Sequence, residues 1–124
     1  VCRLVGRGEE AGQHACQALA LARQQKDRRN EALALHQLGA VHAHANPLDV
    51  GLAETHYQQA LALAEELGMR PLQAHCHLGL GTMYGRSGRE QQARVDLEMA
   101  MALYRAMEMP FWLPQAEAAL AQVA

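Results

Sequence analysis

Residues 74–104 read AHCHLGLGTMYGRSGREQQARVDLEMAMALY, a stretch that resolves into two helical faces separated by a turn. His77, Leu80, Gly81 and Tyr84 share one face before the turn, and Ala93, Leu97, Ala100 and Tyr104 follow it at i, i+4, i+7 and i+11. Gly88 stands between them, where a helix end wants a left-handed backbone. Both faces recur. Ala53, Tyr57, Ala60 and Ala64 repeat the second set upstream at the same internal spacing, and Ala11, Ala15, Ala18 and Ala22 repeat it once more before that. Leu35, Leu38, Gly39 and His42 repeat the first set upstream, and Glu117, Leu120 and Ala121 repeat it downstream.

A period of this size marks stacked supersecondary units that bury a shared core. Each unit is two helices, A and B, with a small residue at the centre of each: Gly39, Gly81 or Ala121 on A, and Ala18, Ala60 or Ala100 on B. Glycine inside a helix costs about 1 kcal/mol relative to alanine. Close approach of two helix backbones is the expected compensation. Gly68 sits past a helix end, while Pro71 and Pro110 sit where the next helix begins. Asn46-Pro47 closes helix A of the second unit and Asp49 is placed to cap its helix B. That loop is longer than the one around Ser87-Gly88, which explains why Ala11 to Ala53 is a slightly wider step than Ala53 to Ala93.

The chain therefore reads as the end of A1 (1–4), B1 (9–26), A2 (29–45), B2 (52–67), A3 (71–86), B3 (90–107) and A4 (111–123). One repeat domain covers residues 1–124, in units 1–28, 29–70, 71–109 and 110–124. Because it opens at Val1 in the tail of a helix, a piece of a longer polypeptide is expected.

Composition agrees with an all-α fold. Half the residues are hydrophobic, but aromatics supply only 4% and isoleucine is absent, a balance that favours helices over strands. The formal charge of −2 excludes a broadly basic surface, and Arg23, Lys26, Arg28 and Arg29 cluster where a helix dipole ends, so nucleic acid is not an expected partner. No apolar run approaches the roughly 18 residues that cross a bilayer, and no signal core opens the chain, so neither a membrane nor an export route is expected. Cys2, Cys16 and Cys76 have no spacing that suggests a disulfide framework, which points to a reducing, cytoplasmic setting.

Three catalytic or metal chemistries find no support in the spacing. Seven histidines invite zinc, yet ligands on one helix sit three or four residues apart and only Glu10 with His14 does so; His75, Cys76 and His77 point about 100° apart around the axis. Cys76 with a histidine lacks an orienting third group. Gly81 and Gly85 enclose three residues where a phosphate loop needs four, with no strand before them. No catalytic residue, metal or cofactor is expected.

These residues resemble the tetratricopeptide repeat (TPR), through His77, Leu80-Gly81, Tyr84, Gly88, Ala93, Leu97 and Ala100 and again through Leu35, Leu38-Gly39, Ala53, Tyr57 and Ala60. His77 and Glu117 depart from the usual bulky first position, and His42 from the aromatic one. The resemblance implies a right-handed superhelical solenoid of antiparallel helix pairs, about three and a half repeats long. The longer unit, with residues 74–89 and Phe111-Trp-Leu-Pro-Gln-Ala-Glu117, is similar to repeats behind the ATPase and cyclase modules of bacterial signalling proteins. It implies a non-catalytic scaffold that binds a protein or peptide. In such a superhelix the A helices line the concave groove, which here places Leu33, His36, Gln37, Ala40 and His44 of A2 along it. His75, Leu78, Thr82 and Arg86 of A3 continue the wall, with Gln115, Ala118 and Gln122 of A4. The Lys/Asn set with which chaperone-binding relatives hold a carboxylate is missing. His36, His44 and His75 are expected to charge near pH 6 and disfavour a cationic partner. Phe111, Trp112 and Leu113, with the truncated start, offer apolar surface for self-association through the solenoid ends.

Overall fold

The computed structural model describes residues 9–43 and 50–123, and among these every regular element is helical. In chain order they are α1 (Glu9–Gln24), α2 (Arg28–Ala43), α3 (Val50–Leu67), α4 (Arg70–Arg86), α5 (Glu90–Ala106) and α6 (Leu113–Val123). They correspond to B1, A2, B2, A3, B3 and A4. Helix A1, His44, the Asn46-Pro47 turn and Asp49 lie outside the described residues.

Each helix packs against the next along the chain. In addition α2 approaches α4 and α4 approaches α6, whereas among the described residues the backbones of α1, α3 and α5 stay further apart. The layer in which successive units meet is the inside of a curve. The A helices thus form the concave face of the all-α solenoid and the B helices its outside.

The repeated faces are where the core forms. Ala53, Tyr57, Ala60 and Ala64 of α3 are buried, as are Ala93, Leu97, Ala100 and Tyr104 of α5. Leu35, Leu38 and His42 of α2 and His77, Leu80 and Tyr84 of α4 meet them. Two expected core positions come out differently. Ala18 and Ala121 are exposed, because each belongs to a helix at one end of the described array.

The glycines refine the reason for the repeat. A Cβ on Gly39 would stand 2.7 Å from the Tyr57 ring, and one on Gly79 2.5 Å from the same ring. Tyr57 of α3 is therefore clamped between a glycine of its own helix A and a glycine of the next. Gly81 gives way to the Leu97 side chain (2.6 Å) and, at 3.1 Å, to the Ala93 carbonyl. The expected approach of backbone to backbone holds only at that last contact; elsewhere the space is filled by a side chain.

Polar groups pin the layers at their edges. Asp27 caps α2 by accepting from the Asn30 amide (3.3 Å). Glu54 of α3 accepts from the Tyr84 hydroxyl of α4 (2.5 Å) and lies 3.5 Å from Arg89, so one carboxylate ties three elements. Cys16 is disulfide-bonded and Cys76 is a free, buried thiol. The expectation that no cysteine is bridged is corrected at Cys16.

Candidate functional site

On the concave face, rings gather around the middle of α2 and the first half of α4. His36 of α2 and His75 of α4, about one turn out of register in the repeat, bring their rings to 6.3 Å. Tyr57 lies edge-on beneath His36 at 5.5 Å, and the Tyr104 hydroxyl is hydrogen-bonded to His75 Nδ1 at 2.7 Å. Trp112, in the turn before α6, meets the His75 ring edge-on at 4.5 Å, and Phe111 packs on Trp112 at 5.3 Å. A continuous band of rings crosses three repeat units. Phe111, 75% exposed, and Leu33, 43% exposed, stand out from its two ends.

This band is electrically neutral near pH 7. Burial lowers the pKa of His36, and its neighbour His75 lowers it further; burial does the same to His75. Both rings therefore take up a proton only below the ordinary imidazole value of 6.5. His44, the third histidine expected in the groove, lies outside the described residues.

The other expected groove residues divide. Gln37, Gln115, Ala118 and Gln122 are exposed, as the groove reading requires. Ala40 and Leu78 are half-buried and pack against the core around Tyr57 and Leu80, so they line the floor more than they offer contact. Thr82 is half-buried. Arg86 is exposed and its Nη1 donates to the Ala43 carbonyl (3.2 Å), bridging α4 to the end of α2. Sequence reading placed Tyr57 and Tyr104 in the core and Trp112 at a solenoid end, and so missed that all three support the groove histidines. The signal for Trp112 was present, since it is the sole tryptophan and sits one repeat after buried Leu72.

Residues 49–106, which span α3 to α5, match the tetratricopeptide repeat family. That segment belongs to the family. No curated protein matches it. In the two middle units the TPR positions are the buried ones: the Leu-Gly pair of helix A lies under the Ala and large residues of helix B.

Several of the histidines, cysteines and glycines that invite such chemistry are engaged in packing within the TPR segment. Burial pushes the Cys76 thiol up to about 12, the opposite of an activated nucleophile. Gly79, Gly81 and Gly85 lie within α4, and Gly79 and Gly81 face side chains where a phosphate cradle would need open space. Of the basic cluster, Arg23 pairs with Glu31 at 3.1 Å and Arg28 with Glu66 at 2.5 Å, so two of its cations hold helices together. His77 Nδ1 lies 2.8 Å from Asp96, a cross-helix pair that ties α4 to α5. Among the described residues no group of three or more His, Cys, Asp or Glu side chains could hold a metal ion, and no helix is long and apolar enough to cross a membrane.

Proposed function

We propose that this TPR segment is a non-catalytic interaction module that takes a peptide segment of a partner protein along its A-helix face, as the regulatory or sensor part of a larger signalling protein. The observation that carries this reading is the neutral ring band from His36 through His75 to Trp112, flanked by exposed Leu33 and Phe111. Aromatic side chains held by neighbours lose little freedom on binding, which suits them to anchor a partner. Gln37 and Gln115 at the rim supply hydrogen bonds without charge. The chemistry favours a peptide with apolar or aromatic anchors and few charges, extended or helical. The long repeat unit, as in the repeats behind bacterial ATPase and cyclase modules, supports the signalling context. Self-association through the solenoid ends is the alternative reading; it would draw on Phe111, Trp112 and Leu113 and so compete with peptide binding there.

Selection of random peptides displayed on phage, followed by titration of the chosen peptides against Trp112 emission, tests the proposal. Selected peptides should shift that emission and bind at least about tenfold more weakly to Leu33→Asp and Phe111→Asp, a loss of about 1.4 kcal/mol. Peptides that bind both variants as well as the parent would place the docking surface elsewhere and overturn it.

A further inference from the structure

One helix of the outer layer carries an apolar stripe that the others lack. Val95, Met99, Ala102 and Ala106 of α5 each follow a buried core residue by two positions, which turns them about 200° around the axis and away from the core. All four are exposed, Val95 by 59% and Met99 by 48%. The matching positions are Thr55, Gln59, Ala62 and Glu66 on α3 and Gln13, Gln17, Ala20 and Gln24 on α1, an outer face that is chiefly polar. Their exposure belongs to the architecture and not to a place late in the sequence. On α3, which lies between α1 and α5 in the outer layer, the same four positions are exposed too, as are Gln58 and Glu65 beside them.

We propose that α5 packs antiparallel against α5 of a second copy along this stripe, joining two solenoids back to back about a twofold axis. The spacing of four, three and four residues is that of the seam between two helices. Two complementarities select a second copy as the occupant. The first is steric. An antiparallel register sets Val95 of one copy against Ala106 of the other and Met99 against Ala102, so each large side chain meets a small one. The second is electrostatic. The same register brings Glu98 of one copy beside Arg105 of the other, and the twofold axis repeats the pair. Both side chains are exposed, and neither has an ion pair among the described residues. A parallel arrangement would stack Met99 on Met99, leave Ala102 on Ala102 and set Glu98 beside Leu103. On α3 the antiparallel register would put Glu65 beside Gln58 and Glu66 over Thr55, so the self-complementary face is that of α5.

One helix from each copy offers far fewer side chains than the roughly 20–30 residues a side of a standard interface, so the dimer is weak and depends on concentration. Sedimentation equilibrium over a series reaching the millimolar range should give a mass that climbs to the dimer and stops, since an isologous contact closes on itself. Met99→Glu should weaken association at least about tenfold with unchanged helical circular dichroism. Glu98→Arg and Arg105→Glu should each weaken it about threefold, and the two changes together should restore it. Under mild oxidation, Val95→Cys protein mixed with Ala106→Cys protein should cross-link one to the other; Val95→Cys joined to itself would mean a parallel pair and overturn the register. A constant monomer mass, growth past the dimer, or a Met99→Glu protein that associates like the parent would overturn the proposal. It does not draw on the groove reading: Leu33→Asp and Phe111→Asp should leave association unchanged, and an effect of those two changes with none from Met99→Glu would move the contact to the concave face.

Discussion

Tyr57 is the side chain on which the middle of the array turns. Its ring fills the space cleared by Gly39 and Gly79 and supports His36 from below, so a residue of the outer layer fixes the geometry of the inner one. Burial pushes its phenol up to about 12, consistent with a ring enclosed on both sides. Alanine is the better helix former by about 1 kcal/mol, so on propensity alone Gly39→Ala would stabilise the protein. The methyl would instead meet the ring at 2.7 Å, and overpacking costs about 1–3 kcal/mol. Gly39→Ala is therefore expected to lower the urea midpoint, and the loss should vanish in a Tyr57→Ala background, where the methyl meets space. A cost that persists without the ring would mean that backbone contact, and not Tyr57, dictates the glycine. The repeat made the glycines legible in the sequence, but their partners were not. Alignment pairs Gly39 with Gly81, whereas the ring that reaches Gly39 also reaches Gly79, a residue of the following unit. A contact shared between two units leaves no trace in a comparison of one unit with the next.

At the level of the helix, four chain reversals use one device. Asp27, Met69, Arg89 and Met109 each donate a backbone N–H to the carbonyl five positions back, Ala22, Ala64, Tyr84 and Tyr104, at 2.8–2.9 Å. The residue before each donor is left-handed: Lys26 (φ 57°), Gly68 (70°), Gly88 (84°) and Glu108 (55°). Composition betrays only the two glycines, yet Lys26 and Glu108 stand one repeat before and one repeat after Gly68, so the register marks them too. An L side chain in this region costs about 1 kcal/mol that glycine avoids. Glu108→Gly and Lys26→Gly should each raise stability by about that amount, and Gly68→Ala, which meets no neighbour within 4 Å, should lower it by the same amount. Thermal unfolding of the three variants is the check, and a Glu108→Gly protein less stable than the parent would mean that the carboxylate does more than occupy a turn. The start of α6 was misplaced in the sequence for a reason that is equally local. A helix from Phe111 would put Pro114 past the first turn, where its missing N–H and its ring conflict with the preceding carbonyls. Beginning at Leu113 puts the proline among the positions whose N–H groups are free in any case, and it leaves Phe111 and Trp112 outside the helix to cover His75.

On the scale of the whole molecule, the stacking of units brings together imidazoles from two different repeat units, and this lowers the pH at which they charge. Isolated histidines on a groove wall would charge near pH 6. His36 and His75, pressed against one another and against Tyr57 and Tyr104, are held below 6.5 by desolvation first and, for His36, by repulsion from the other ring second. His56, stacked on His42 between α2 and α3, is lowered for the same two reasons. The unfolded chain therefore binds protons that the folded one refuses, and stability must rise with pH across this interval. The contribution is complete above pH 6.5 and is lost as the pH falls through the lowered folded-state values. Urea midpoints measured from pH 7.5 down to pH 5 should decline chiefly below pH 6.5, and His36→Gln and His75→Gln should each flatten the decline. Peptide affinity at the concave face should in turn stay level between pH 7.5 and 6.5, where both rings remain uncharged. A midpoint that rises on acidification would show that the folded state gains protons there, and the neutral groove on which partner selection rests would have to be abandoned.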